Sequence, residues 1–220
     1  MPPQRLTRKE RQERTRSSLM RSAVTVFSDR GMERASIDDV AEHAGFTKGA
    51  FYANFESKEQ LFLAMLEENF AARLEEIDRA LSTEEEPEAQ ARQAGLDFHR
   101  FLEFSDDWER LFFEFAAYAA RNDEFRVELV ARYRMLRDRV AEMMDRRARE
   151  IDVEPPFALT ELALMTFVMA NGVALERLLE PDAVSDDLYA TMLEIFFTGL
   201  RTMHEEAEVQ RNERGGKGSS

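Results

Sequence analysis

The chain contains no cysteine, only three histidines, and few glycines and prolines, nine and six among 220 residues. Without cysteine it can form neither disulfide bonds nor thiolate metal sites, and it has no thiol redox sensor. Its longest charge-free apolar run, Leu162 to Leu175, has 14 residues, and a membrane-spanning helix needs about 20. No basic-then-apolar leader opens the chain. We therefore expect a cytoplasmic protein that does not enter a membrane.

The residues that catalysis usually requires are also scarce. The sequence has no His-Glu-x-x-His motif and no glycine-rich phosphate loop. The acid pairs Asp106-Asp107 and Asp186-Asp187 lie at predicted helix starts, where capping explains them. We predict no catalytic residue, no metal site and no cofactor, so an enzyme is the least favoured class.

Positive charge is concentrated near the start of the chain. The net charge is −14, yet residues 1–59 carry 11 Lys or Arg against 9 Asp or Glu, whereas residues 60–220 carry 19 against 35. Nucleic acid would repel the acidic part, so only the first part suits a phosphate surface. Among these cations, Arg14, Arg16 and Arg21 lie on the outer face of the first predicted helix, where they either touch the DNA backbone or are simply solvated.

Apolar residues recur with helical spacing through most of the chain, which predicts an all-α protein. Caps, glycines and the Pro155-Pro156 pair divide it into nine helices. The predicted helices cover Lys9–Arg30, the two helices within 36–55, and then 57–81, 88–104, 105–120, 122 to about 143, 157–179 and 185–204.

The stretch from Ser36 to Phe55 indicates two short helices joined by a tight turn. Ser36 is a good N-cap for a helix that Gly45 ends, and Thr47 caps the next helix almost at once. This is the pattern of a helix-turn-helix motif, in which the second helix enters the major groove of DNA. A helical hairpin inside an ordinary all-α core has the same local pattern.

The second helix of this stretch, Lys48 to Phe55, carries one cation and no acid. Its polar side suits phosphates and base edges, whereas Phe51 and Phe55 share the side that we expect to be buried. Lys58 lies in the first turn of the next helix, where a cation opposes the helix dipole, so we infer a phosphate contact. The predicted DNA-binding residues are Ser36, Thr47, Lys48, Gly49, Ala50, Tyr52, Asn54 and Lys58.

The segment SIDDVAEHAGFTKGAFYANFESKEQLF resembles the DNA-binding signature of the tetracycline-repressor (TetR) family of bacterial transcriptional regulators. The resemblance covers about the first 70 residues, and Phe51 departs from it, since the family more often has an aliphatic residue there. It implies a dimeric repressor that a small effector releases from DNA. The remaining helical segments agree with the family in being all-helical and of suitable length.

The eighth and ninth predicted helices have more apolar surface than one core requires. They are either deep core or, as the resemblance favours, a homodimer interface built as a two-fold four-helix bundle. A two-fold dimer should read a palindromic operator in double-stranded DNA. The predicted interface residues are Leu162, Met165, Leu188, Met192, Ile195, Phe196 and Gly199.

Helices five to eight are rich in phenylalanine and methionine, which line adaptable apolar pockets as well as ordinary cores. A small apolar or aromatic effector is the ligand that the resemblance implies for such a pocket. The predicted ligand-binding residues are Phe98, Phe101, Trp108, Phe112, Phe115, Met135, Met169 and Asn171.

The predicted organisation has four parts: a flexible basic arm at 1–8, a helix-turn-helix domain at 9–66, a ligand-binding and dimerisation domain at 67–206, and a disordered tail at 207–220. The competing hypothesis is a helical interaction module whose helix-turn-helix has lost DNA binding. Affinity for DNA that falls steeply as salt rises distinguishes the two.

Overall fold

The computed structural model describes residues 7–83, 86–103 and 106–216, and in this part of the chain it contains nine α-helices, no strand and one short 3-10 turn. The prediction of an all-α fold is confirmed. The helices are α1 (Arg8–Arg30), α2 (Ile37–His43), α3 (Lys48–Tyr52), α4 (Lys58–Leu81), α5 (Pro87–Glu103), α6 (Asp106–Ala119), α7 (Asp123–Glu150), α8 (Leu159–Leu179) and α9 (Leu188–Gly216).

The first helices begin and end at residues with clear chemical signals. Thr7 and Glu10 form a reciprocal capping box at the start of α1, and Gly31, at φ +78°, follows its last residue. The predicted basic arm therefore ends earlier than expected, since Arg8 is helical; residues 1–6 lie outside the described residues. Ser36 caps α2 as predicted, and Asp39 completes a second capping box there.

The last helix is longer than the sequence analysis predicts. It continues to Gly216, through 207–216, where the sequence predicts a disordered tail, and residues 217–220 lie outside the described residues. The segment before Gly215 contains strong helix formers, and the Arg211 guanidinium lies 3.0 Å from the Glu154 carboxylate. Composition at the end of the chain suggested disorder, but these residues simply continue the preceding helical turns.

The chain divides into two compact units. One contains the described residues of Met1–Phe70 and Ser105–Arg132, and the other contains those of Ala71–Phe104 and Tyr133–Ser220. A division near residue 66 is therefore incomplete, because α6 and the first part of α7 belong to the same unit as the helix-turn-helix.

The core of the first unit is built around stacked aromatic rings. Phe62 of α4 stacks on Phe115 and on Trp108, both from α6, with ring centroids 3.5 and 5.7 Å apart. Phe27 of α1 meets the Phe115 ring edge-on at 5.8 Å. All four side chains are buried, so α1, α4 and α6 share one apolar core.

The second unit depends on a close approach between α5 and α9. Gly95 of α5 lies so near α9 that a Cβ atom added to it would be 2.4 Å from Ala190 Cα and 2.8 Å from Ala190 N. Only a residue without a side chain permits this spacing, since backbone atoms cannot move aside cheaply.

We predict that Gly95→Ala destabilises the protein by about 1–3 kcal/mol, because the methyl group forces α5 and α9 apart. Thermal or urea unfolding of the purified variant measures the change. Gly49→Ala is the matched control: its Cβ would meet only Thr47 Oγ1, at 3.7 Å, so stability should be unchanged or rise by up to about 1 kcal/mol. Equal stability of Gly95→Ala and the parent chain would contradict the predicted packing.

Candidate nucleic-acid interface and apolar cavity

The turn between α2 and α3 is closed by backbone hydrogen bonds. Gly45, at φ +76°, donates its N–H to the Glu42 carbonyl at 2.9 Å, and the Phe46 N–H donates to the Ala41 carbonyl at 2.8 Å. These two bonds satisfy carbonyls at the end of α2. The Thr47 hydroxyl then accepts from the Ala50 N–H at 3.2 Å, so α3 begins directly after the turn.

The two sides of α3 differ as the sequence predicts. Phe51 is fully buried, and its ring lies 5.7 Å from that of Phe55, which is also buried. Lys48, Gly49 and Tyr52 are exposed, Tyr52 by 52%. The outward side of α3 therefore presents an ammonium group, a bare backbone segment and a phenol, groups suited to phosphates and groove edges.

Lys48 has an acidic neighbour on α2. Its ammonium group donates to the Asp38 carboxylate at 2.8 Å, and this hydrogen bond raises the pKa of Lys48. Both side chains are more than half exposed, so the pair contributes little to stability. Lys48 thus remains available to exchange Asp38 for a phosphate oxygen.

Lys58 has a different role from the phosphate contact that its position suggests. Its ammonium group donates to the carbonyls of Met32 at 2.5 Å, Ala35 at 3.1 Å and Glu33 at 3.4 Å. The three acceptors belong to the loop between α1 and α2, so Lys58 holds this loop against the start of α4. Its place in the first turn of a helix is explained by these carbonyls, which lie far from it in sequence.

Glu114 of α6 holds the same loop from another element. Its carboxylate accepts from the Met32 N–H, and a Cβ at Gly31 would lie 2.9 Å from the carboxylate oxygen that accepts. Nearby, the Tyr118 hydroxyl donates to the Glu59 carboxylate at 3.1 Å. Sequence reasoning missed Glu114, because no local pattern distinguishes it from the other acids of the chain.

Asn54 is turned back towards α3 rather than outward. Its amide nitrogen donates to the Ala50 carbonyl at 2.8 Å, and its side-chain oxygen is buried. Its own carbonyl accepts from Arg16 of α1 at 3.3 Å, and the Arg16 guanidinium lies 4.4 Å from the centre of the Phe55 ring. Asn54 and Arg16 therefore fix the end of the α3 segment, although the sequence suggested that both could contact DNA.

The remaining predicted DNA-binding residues have exposed or half-exposed positions. Ser36 is exposed, but its hydroxyl accepts from the Asp39 N–H at 3.1 Å, and the Ser36 hydrogen bonds lower the pKa of Asp39. Ala50 is half-buried within α3. The structure thus brings Thr47, Lys48, Gly49, Ala50 and Tyr52 together on one short segment.

The second unit contains a cavity of about 500 Å³. Its walls come from α4, α5, α7, α8 and α9, together with the loop between α7 and α8. The apolar lining includes Ile77, Leu81, Ala91, Val140, Met144, Ile151, Leu159, Leu162, Leu193 and Phe197. This size and lining are typical of small-molecule sites.

Several polar side chains interrupt this apolar lining. Gln90 is fully buried; its amide nitrogen donates to the Thr83 carbonyl at 2.8 Å, and its oxygen accepts from Arg147 at 3.0 Å. Arg201 pairs with the buried Glu88 at 2.7 Å. Gln90 is therefore committed to its protein partners and fixes the Arg147 guanidinium at the cavity wall.

The eight predicted ligand-binding residues do not line this cavity. Trp108 and Phe115 belong to the core of the first unit, and Phe112 of the same unit packs edge-on to Phe113 at 5.5 Å. Met135 is 53% exposed. An apolar or aromatic residue has the same sequence pattern in a core, on a surface or around a cavity, so composition could not assign these residues.

The other four, Phe98, Phe101, Met169 and Asn171, lie in the second unit. Phe98 and Met169 pack with the cluster that contains Val173, Tyr189 and Leu193. Asn171 accepts a hydrogen bond from the Tyr133 hydroxyl at 3.3 Å. The rings of Phe98 and Phe101 cover the Arg73 guanidinium, at 5.0 and 5.6 Å, and it is Arg73 that lines the cavity.

The predicted dimer interface residues are divided between the interior and the surface. Leu162 is buried and lines the cavity, so its assignment to an interface is corrected. Met165, Leu188, Met192 and Phe196 are half-buried, whereas Gly199 and Ile195 are exposed, Ile195 by 67%.

The sequence analysis missed an exposed apolar stripe on α8. It consists of Leu164, Val168, Leu175 and Leu179, spaced so that all four share one helix face. We call these four residues together with Ile195 of α9 the exposed apolar set. In length and composition α8 is also long and apolar enough to cross a membrane, but the core helix of a soluble protein meets the same criteria.

Two family models match the chain. Residues 19–65 match the model described as bacterial regulatory proteins, tetR family, and residues 87–201 match the C-terminal region of the BetI-type transcriptional repressors. The first match contains α2 and α3 with their turn, and the second contains α6 and most of the cavity lining. Together they connect the helix-turn-helix and the cavity to one kind of regulator.

Individual relatives agree with these matches. The chain is 26% identical to the uncharacterized HTH-type transcriptional regulator YfiR of Bacillus subtilis over 75% of this chain and 80% of that protein. It is 36% identical to the HTH-type transcriptional activator FasR of Mycolicibacterium smegmatis, over 50% of this chain and 48% of that protein. The fold resembles the transcriptional regulator FadR of Bacillus subtilis in complex with stearoyl-CoA, at 12% identity and TM-score 0.68, over 81% of this chain and 95% of that one.

The caps and turn of α2 and α3, the exposed side of α3 and both family matches all point to a helix-turn-helix regulator. The matched families are transcriptional regulators, not enzymes. The chain belongs to the TetR family of bacterial regulatory proteins and is a helix-turn-helix transcriptional regulator.

Proposed function

We propose that the protein is a homodimeric repressor that binds a palindromic operator in double-stranded DNA and leaves it when a small apolar effector enters the second-unit cavity. The observation that carries the proposal is the combination, in one chain, of an outward-facing α3 and an apolar cavity of about 500 Å³. The match to a transcriptional repressor model over residues 87–201 supports repression rather than activation. Binding to a bacterial operator implies that it works in the cytoplasm.

Contact with DNA depends on two groups of residues with different tasks. Lys48 and Tyr52 face outward and provide a charge and a hydroxyl for the phosphate backbone. Lys58 and Glu114 hold the α1–α2 loop, and Arg16 holds the end of the α3 segment. The second group positions α3 without contacting DNA. Substitutions in the two groups should therefore change the salt dependence of DNA affinity differently.

The exposed apolar set supports a second copy of the chain as the partner. Its side chains include Val168 at 62% exposure, Ile195 at 67% and Leu179 at 71%. Residues of this kind gathered on the last two helices mark an association surface. A two-fold pairing through these helices gives a four-helix bundle and two copies of α3, which suits half-sites about 34–36 Å apart or a multiple of it.

The effector releases the DNA because its affinity differs between two arrangements of the dimer. An effector that binds better to a dimer whose α3 helices do not match the half-sites lowers the population that binds DNA. The stearoyl-CoA in complex with FadR of Bacillus subtilis supports a ligand with a long apolar chain in this fold.

The proposal as a whole is tested by selecting bound sequences from random double-stranded DNA with the purified chain. We expect an enriched palindrome whose half-sites are related by two-fold symmetry. An interaction module that has lost DNA binding would enrich nothing, and its weak retention of DNA would not fall steeply as salt rises.

We predict that Lys48→Met weakens operator binding and lowers the slope of log affinity against log salt by about one for each subunit, because one phosphate contact is lost. Fluorescence anisotropy at several salt concentrations measures both quantities. Arg126→Met is the control, since Arg126 is an exposed α7 cation paired with Asp123. A slope that is the same in Lys48→Met and the parent chain would remove Lys48 from the interface.

Lys58→Met should differ from Lys48→Met in its effects on stability and on the salt dependence of DNA binding. Loss of a charged donor to three loop carbonyls should lower the free energy of unfolding by about 1–3 kcal/mol and weaken operator binding without changing the salt slope. Urea unfolding and the same anisotropy titration test this. A salt slope reduced as far as in Lys48→Met would instead identify Lys58 as a direct phosphate contact.

Val168→Glu should yield monomers, because it places a carboxylate within the proposed apolar interface. Sedimentation velocity measures the mass. Val127→Glu is a matched control, since Val127 is also 62% exposed but lies on α7 in the first unit. If Val168→Glu remains as dimeric as Val127→Glu, the interface lies elsewhere.

A further inference from the structure

Arg73 places a positive charge on the wall of a largely apolar cavity, which Arg147, held by Gln90, and Arg201, paired with Glu88, also line. It belongs to α4, and its side chain is only 13% exposed. Phe98 and Phe101 cover the guanidinium, whose carbon lies 5.0 and 5.6 Å from the two ring centres. These contacts fix the group in place without neutralising it, because aromatic faces attract cations but carry no net charge.

The charged neighbours of Arg73 do not use all of its hydrogen-bond donors, so the guanidinium can also bind a further anion. One guanidinium nitrogen, Nη1, pairs with Glu76, whose own side chain is 28% exposed. Asp97 also acts on Arg73 from α5, but its carboxylate is 2.6 Å from Arg100. A guanidinium has five N–H donors, so pairing with Glu76 at one nitrogen does not exhaust it. Burial, the largest influence on the group, lowers the pKa of Arg73, and a second carboxylate would offset this cost.

The two ends of the cavity differ in exposure. Arg73 marks the enclosed end, together with Tyr189 and Thr166, whose hydroxyl and carbonyl are already joined by a 3.1 Å hydrogen bond. Arg201 at the other end is 51% exposed and already paired with Glu88. Tyr189 and Arg201 are twelve residues apart on α9, about 18 Å at 1.5 Å per residue. The space is therefore elongated, with an enclosed cation and an exposed ion pair at opposite ends.

We propose that the effector is a carboxylate with an elongated apolar body, which enters head-first so that its carboxylate pairs with Arg73 and its body lies along Ile77, Val140, Met144, Leu159 and Leu193. This inference rests on the proposed function of the cavity as the effector site, and it specifies the class of ligand. A neutral ligand would leave Arg73 without a new partner, and a cation would meet repulsion at the enclosed end.

The test compares three ligands of equal chain length and different head charge: dodecanoate, dodecan-1-ol and dodecylamine. Isothermal titration calorimetry with the full chain, below the concentration at which each ligand forms micelles or reaches its solubility limit, gives the affinities. We expect the dissociation constant of dodecanoate to be lower than that of dodecan-1-ol by about tenfold or more, because its carboxylate gains a charge-assisted hydrogen bond to Arg73. We also expect dodecanoate to release the selected operator DNA.

Arg73→Met keeps an unbranched apolar side chain close in size to the arginine stem but removes the charged guanidinium. It should weaken dodecanoate binding about tenfold while leaving dodecan-1-ol unchanged. Arg79→Met is the matched control on the same helix, because Arg79 is exposed and does not line the cavity. Circular dichroism verifies that each variant is folded, and the comparison of ligands on the parent chain does not depend on any variant.

The outcomes separate this inference from the proposed function. If dodecan-1-ol or dodecylamine binds as tightly as dodecanoate and releases DNA, the cavity is an effector site but the carboxylate class is wrong. An unchanged dodecanoate affinity in Arg73→Met would also overturn the role of Arg73. If none of the three ligands binds or releases DNA, both the ligand class and the cavity's role as their site are rejected.

Discussion

Burial of Phe51 is the constraint on which the exposed side of α3 depends. Once this ring is fixed inside the first unit, the helical period leaves Lys48, Gly49 and Tyr52 on the outer side of α3. A helix of five residues has too few hydrogen bonds to be stable alone, so its orientation comes from the elements around it. The cap at Thr47, the turn at Gly45 and the packing of Phe55 all act on this one short helix.

The supports of α3 are mostly polar and come from distant parts of the sequence. Lys58 and Glu114 approach the α1–α2 loop from α4 and α6, one donating to its carbonyls and the other accepting from the Met32 N–H. A loop held from both sides has few alternative conformations, and so the start of α2 is well defined. Since α6 belongs to the same unit, displacement of α6 would disturb this loop directly.

The second unit combines close packing with empty space. At Gly95, α5 and α9 approach too closely for any side chain, yet further along the same helices the walls separate around the cavity. Large apolar residues were expected to mark the cavity, but several of them pack in cores instead. The charged residue at its enclosed end, Arg73, lies on a helix whose apolar pattern did not single it out.

The sequence by itself determined the helical class, the caps of α2 and α3, the turn at Gly45 and the outward side of α3, because each depends on residues within a few positions of one another. Only the tertiary structure decided the roles of Lys58, Asn54 and Glu114, the position of the cavity and the exposed stripe of α8. These depend on which distant residues meet. A lysine that could contact a phosphate and a lysine that holds three carbonyls look the same until the chain is folded.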